Sequence, residues 1–164
     1  EIMGDNFDRT VDRGWEIINE LDDFIDKNDR KEAFTLTRKR YWWNYIAHLS
    51  RLYQAGQIFV QRDKINRIIG ICTWVLVNKE DEHKINKITW SLPKEISNGN
   101  NLCITICVLN GGSIHDFRRE FRKRFSDKVD EVFWFDIPHN RFIRRKNILK
   151  EMVYADTKLR FVGP

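Results

Sequence analysis

Few side chains in this sequence have both the type and the spacing to do chemistry, and they gather around one glycine pair. Asn110-Gly111-Gly112-Ser113 follows an apolar run, Leu102–Leu109, and precedes a helical pattern reaching about Phe125. A helix begins with unpaired N–H groups and a partial positive charge, and glycines before it let a ligand approach the backbone. Strand, Gly-Gly and helix together therefore predict an anion site suited to phosphate. Ser113 with Asp116 has the spacing of a capping box. Arg118 and Arg119, one turn on, lie within reach of a second phosphate. No Gly-Lys-Ser/Thr follows, so the turn is not a P-loop, and the three-glycine dinucleotide fingerprint is absent. An ordinary capped βα turn is the competing explanation.

Other reactive candidates are scattered. His139, close to Asp136, is the best-placed general base. His48 falls on an aromatic-rich helix and reads as a core residue. Cys107 is a candidate nucleophile, although a thiol in an apolar strand has a raised pKa and little reactivity. Glu80, Asp81, Glu82 and His83 read as a solvated loop. Cys72, Cys103 and Cys107 lack CxxC spacing, and the four His are dispersed, so the sequence predicts reduced, buried thiols and no metal site.

The elements that must position these residues follow from periodicity. Trp15, Ile18, Leu21, Asp22 and Ile25 predict an amphipathic helix from Asp12 to about Asn28. Tyr41, Tyr45, Leu49, Leu52 and Tyr53 predict a second from Thr37 to a C′ glycine at Gly56. Gln57–Arg62 and Arg67–Val77 read as an antiparallel hairpin about Asp63-Lys64-Ile65-Asn66. Asn78–His83 and Pro93–Asn100 read as loops, with Lys84–Leu92 an additional strand. Leu102–Leu109 reads as the central strand. Ile114, Phe117, Phe121 and Phe125 mark the buried stripe of the next helix. Glu131–Ile137 is a further strand, Asn140–Ile148 a short basic helix, and Glu151–Val162 one or two β segments. The expected fold class is α/β (α+β): a single, mixed, mostly antiparallel sheet flanked by helices.

The 164 residues, 41% apolar and 32% charged, suffice for one domain with a sizeable core, taken as residues 1–164. Eleven Phe and six Trp against three Pro exclude a disordered chain. No apolar run approaches a membrane span. The acidic first thirty residues lack the apolar core of a secretory leader, which predicts a cytoplasmic, intracellular protein. The net charge of +5 divides into an acidic N-terminal helix (1–36) and a basic body (37–164), a polarity suited to solvated faces or to a polyanionic partner.

The order of elements and the Gly-Gly turn resemble the GNAT superfamily of acyl-CoA N-acyltransferases, whose central strand splays from its parallel neighbour. The resemblance implies that the backbone of Ile106, Cys107, Val108 and Leu109 pairs with pantetheine. It implies too that Asn110, Gly111, Gly112, Ser113 and Ile114 hold the pyrophosphate, with Arg118 beside them. The implied cofactor is acetyl-CoA or another acyl-CoA, and the acceptor an amine such as a protein lysine. Asn140 matches the family's Asn after the next strand. Asn147 stands where the family has its Tyr proton donor, leaving Tyr154 or His139 for that role. Ala55–Gly112 is also similar in order and spacing to the toxin-activating lysine acyltransferases, which implies an acyl carrier protein as alternative donor. That branch uses an early His and an Asp on the central strand; here the early His is His48 and the strand has no acid. Aromatics interleaved with basic residues, as in Arg38-Lys39-Arg40-Tyr41-Trp42-Trp43 and Arg141-Phe142-Ile143-Arg144-Arg145-Lys146, keep two alternatives open. These are a non-catalytic module binding protein or nucleic acid, and a structural component of an assembly.

Overall fold

The computed structural model describes residues 2–136, 139, 141–146 and 148–149, with side chains from residue 14 onward. Helix α1 (Ile2–Asn28) buries Ile18, Leu21, Phe24 and Ile25 and exposes Glu16, Glu20, Asp23 and Asp26, while Asp22 is half-buried. It begins ten residues before the periodicity predicted. The expected helix from Thr37 to Gly56 is two helices, α2 (Glu32–Arg40) and α3 (Trp42–Gln54). The break falls at Tyr41, whose backbone (φ −114°, ψ 45°) leaves the helical region. Arg38 lies in the last turn before the break. Its side chain is 2% exposed, paired with Asp29 at 3.3 Å and Asp26 at 3.5 Å, and flanked by the rings of Phe34 and Tyr45. A buried guanidinium requires such partners.

Five strands form one sheet in chain order: β1 (Ile58–Arg62), β2 (Ile68–Val77), β3 (Asn101–Leu109), β4 (Glu131–Asp136) and β5 (Arg141–Lys146). All neighbouring pairs are antiparallel except β3 and β4, which α4 (Ile114–Phe125) joins by a crossover. The chain is thus an α+β fold with one mixed, mostly antiparallel sheet flanked by helices. In the β1–β2 turn, the Asp63 carboxylate accepts the N–H groups of Ile65 and Arg67, and Asn66 takes the left-handed conformation such a turn favours.

Two expected elements differ. Lys84–Leu92 forms no strand: a 3₁₀ turn (Lys79–Lys84) leads to a loop in which Asn86 bridges to Ser91 and Trp90 turns inward at φ 62°. Arg141–Lys146, expected in a basic helix, is the edge strand β5, in register with β4 from Glu131↔Lys146 to Asp136↔Arg141. Charged side chains are what an exposed edge strand uses to refuse further pairing. The predicted β segments in 151–162 lie outside the described residues.

The core lies on both faces of the sheet. On one, Ile71, Ile106 and Val108 meet Ile18, Leu21, Ile25, Tyr45, Leu49 and Trp90 from the helices and the inward-turned loop. On the other, Cys72, Trp74 and Leu102 meet Phe117 and Phe121 of α4, with Phe59 tilted against Trp74 at 4.2 Å between ring centroids.

Candidate functional site

The site begins with one extra residue. Thr73 faces Ile106 and Trp74 faces Ile104, so Thr105 is a β-bulge in β3. A bulge bends its strand and ends regular pairing. Accordingly, β3 pairs with β4 only from Asn101↔Glu131 to Ile104↔Trp134, while β3 itself continues to Leu109. The two parallel strands part at the bulge. Buried polar groups hold it. Thr105 Oγ1 lies 2.5 Å from Thr73 Oγ1 and 3.2 Å from His48 Nε2, and Lys87 Nζ donates to the Thr105 carbonyl.

Beyond the bulge the backbone of β3 has an open side. Asn110 N–H donates to Ile69 O, making 110 and 69 a hydrogen-bonded pair. Pairs alternate along an antiparallel ladder, so Val108 and Ile106 also turn their polar groups toward β2. Cys107 and Leu109 then turn their N–H and C=O groups away from β2, where no strand among the described residues meets them. Cys107 and Cys72 face each other directly.

Two connected hollows follow this edge. The first, a cavity of about 350 Å³, is lined by Ile104–Val108, by Ile114, Phe117, Arg118 and Phe121 of α4, and by Trp134 and Phe135 of β4. Its size and apolar walls fall in the range of small-molecule sites. Lys87, Cys72, Asp29 and Lys31 add polar groups. The second, about 460 Å³, shares Cys107, Val108, Asp29 and Lys31 with the first and continues along Leu109, Asn110 and Gly111, opposite Lys27 and Arg30. Asn110 Nδ2 donates to Asn28 Oδ1 at 2.7 Å, tying the end of β3 to the end of α1.

The glycine turn is arranged differently from the expected anion cradle. Gly111 has φ +86°, a conformation that favours glycine. A Cβ on Gly112 would lie 2.6 Å from the Ile69 carbonyl oxygen and 2.4 Å from Gln61 Oε1. Gly112 is therefore required by packing against β1 and β2. The N–H groups of Asn110 and Gly112 donate to Ile69 O, that of Ser113 to Gln61 Oε1 at 2.9 Å, and that of His115 to Ser113 Oγ. Gln61 Nε2 donates in turn to Asp116 Oδ2 at 2.9 Å. The helix mouth is filled by Gln61 and edged by a carboxylate.

Of the residues singled out from sequence, Cys107, Val108, Ile114 and Arg118 line the first cavity, and Leu109, Asn110 and Gly111 the second hollow. Gly112 and Ser113 sit behind Gln61. His139 Nδ1 pairs with Asp136 Oδ2 at 2.7 Å on an exposed turn outside both hollows. Asn140 and Tyr154 lie outside the described residues.

Several titrating groups are shifted. Burial pulls Lys87 down to about 8, with Lys31 adding to the shift. Burial also pushes His48 well below its ordinary range, helped by the cations of Lys87 and Arg51. His48 is thus a neutral ring, and its Nδ1 has no partner. The hydrogen bond with Cys72 lowers Cys107 and raises Cys72, whose burial adds to its rise; burial lifts Cys103 to about 12. Cys107 is exposed while the other two thiols are buried, which makes it the reactive one.

Sequence reasoning missed Lys87, the Thr105 bulge and the Lys27–Lys31 corner. No local signal marks the first two. The third carries a signal that would have found it, a cation-rich stretch (Lys27, Arg30, Lys31) at the end of a helix.

No family model and no curated protein matches the chain. Among the described residues, no group of three or more His, Cys, Asp and Glu side chains is gathered as metal ligands, and no helix is long and apolar enough to cross a membrane.

Proposed function

We propose that the protein is an acyltransferase taking its acyl group from a phosphopantetheine thioester and passing it to an amine. The observation that carries the reading is the parting of β3 and β4 at Thr105, which leaves an unpaired strand edge beside an apolar cavity. The amide groups of a pantetheine arm complement the N–H and C=O of Cys107 and Leu109 as another strand would. The acyl chain occupies the cavity among Ile104, Phe117, Phe121 and Trp134. The phosphate lies toward Lys27, Arg30 and Lys31, since Gln61 and Asp116 occupy the helix entrance. In the transfer, an amine nitrogen attacks the thioester carbonyl carbon. The C–N bond forms, the C–S bond breaks, and the thiol leaves with the proton lost by nitrogen. The enzyme's contribution is chiefly orientation in a water-poor slot.

Acyl-CoA and an acylated carrier protein both supply this arm. Calorimetry with non-reactive thioether analogues separates them: S-octyl pantetheine phosphate, S-octyl-CoA and an S-octyl carrier protein. The reading expects the first to bind and Lys27→Glu with Arg30→Glu to weaken it. Tighter binding of the second or third arm identifies the donor. Failure of all three at about 1 mM, a level that detects even weak sites, overturns the proposal in favour of a non-catalytic binding module.

A further inference from the structure

Lys87 is a buried amine at the point where the thioester of such an arm would lie. Its loop is fixed at both ends by buried Ile85 and Trp90, and Asn86 Oδ1 accepts the N–H groups of Ile88 and Thr89. The side chain crosses to the sheet, where Nζ donates to the Thr105 carbonyl and lies 5.4 Å from the centre of the Trp90 ring. It forms part of the wall of the apolar cavity. Lys31 lines the cavity too, but it is exposed. An arm laid along β3 from Leu109 through Cys107 advances toward Thr105 and so toward Lys87.

We propose that Lys87 is itself an acyl acceptor, so that the protein acylates its own cavity wall once per chain. This rests on the thioester reading above. Lys87 Nζ attacks the thioester carbonyl carbon, a C–N bond forms, and the C–S bond breaks. The thiolate takes the proton shed by the nitrogen and leaves as the free thiol. The product is a stable amide whose acyl chain fills the cavity, so the modification is a single event. Burial that favours the neutral amine leaves a larger nucleophilic fraction than an exposed lysine offers.

The full chain is incubated with S-octanoyl-N-acetylcysteamine, a thioester without nucleotide or phosphate, and the adduct is located by intact-mass and peptide mass spectrometry. Binding of the matching S-octyl thioether is followed in parallel by thermal shift. The expected result is one octanoyl group on Lys87, lost in Lys87→Arg and retained in Lys128→Arg, an exposed lysine outside both hollows, with the thioether bound by the unaltered chain and by Lys128→Arg alike. Should Lys87→Arg fail to fold, the position of the adduct in the unaltered chain decides. Thioether binding without acylation of Lys87, or acylation only elsewhere, overturns the assignment of Lys87 and leaves the site intact. Neither binding nor adduct overturns both.

Discussion

Replacing Lys87 by Met should change how stability depends on pH, by an amount set by the burial of the amine. Lys87 is held at about 8 against an ordinary 10.5. Between these values the unfolded chain keeps a proton that the folded chain has lost. The state binding more protons is favoured at lower pH, so this group makes folding stronger as pH rises from about 8 to 10.5. Below about 8 both states are protonated, and folding carries the full cost of burying the charge. At roughly 1.4 kcal/mol per unit, the window is worth about 3 kcal/mol. Met at this position does not titrate. Its loss of the hydrogen bond to Thr105 O is a constant offset. His48, Lys31, Cys72 and Cys103 face the amine from the packed elements; its charge lowers His48, Cys72 and Cys103, so the difference reads Lys87 together with its coupling to these groups. Urea unfolding of both proteins, followed by tryptophan fluorescence from about pH 7 to 11, gives that difference directly. The stability of the native chain minus that of Lys87→Met should climb by about 3 kcal/mol across the window. Parallel curves, or a difference that falls with pH, would show that the amine is not buried as described.

Other substitutions probe the surroundings. Gln61→Ala removes the group filling the helix mouth; it should cost about 1–2 kcal/mol in urea unfolding and raise the affinity for S-octyl-CoA relative to S-octyl pantetheine, and an unchanged ratio would mean that the mouth is not what excludes a diphosphate. Gly112→Ala drives a Cβ against the Ile69 carbonyl and should destabilise by about 1–3 kcal/mol, measured by thermal unfolding; a neutral effect would refute the packing role of this glycine. Iodoacetamide should alkylate Cys107 ahead of Cys72 and Cys103, more slowly when the S-octyl thioether is bound, with mass spectrometry reporting the order; earlier labelling of Cys103 would contradict the exposure of the three thiols.

The architecture was largely legible because its main elements carry strong periodicity. Phe117 and Phe121 recur at helical spacing and pack on Trp74, and the apolar run Leu102–Leu109 is the central strand. The break at Tyr41 was not legible, because the stripe Tyr41, Tyr45, Leu49 continues at helical spacing and no glycine or proline stands at the break. Arg141–Lys146 misled for a similar reason: its charges fit a helix surface and an edge strand equally, and only pairing with β4 decides. The glycine turn was found, but its chemistry depends on Gln61, far away in sequence on β1. Lys87 stands in a stretch that reads as a strand, Lys84–Leu92; in the fold it packs against Trp90, which turns inward, and against the Thr105 carbonyl at the bulge, both tertiary contacts.

The central claim is that the backbone of β3 beyond Thr105 is an unpaired edge that takes up an acyl-pantetheine arm. Amide hydrogen exchange read residue by residue by NMR tests it most directly. In the free protein, Cys107 and Leu109 should exchange quickly and Ile106 and Val108 slowly. Saturation with S-octyl pantetheine phosphate should slow Cys107 and Leu109 alone among the four. Fast exchange at those two that the ligand leaves unchanged, or protection already complete without it, would contradict the account.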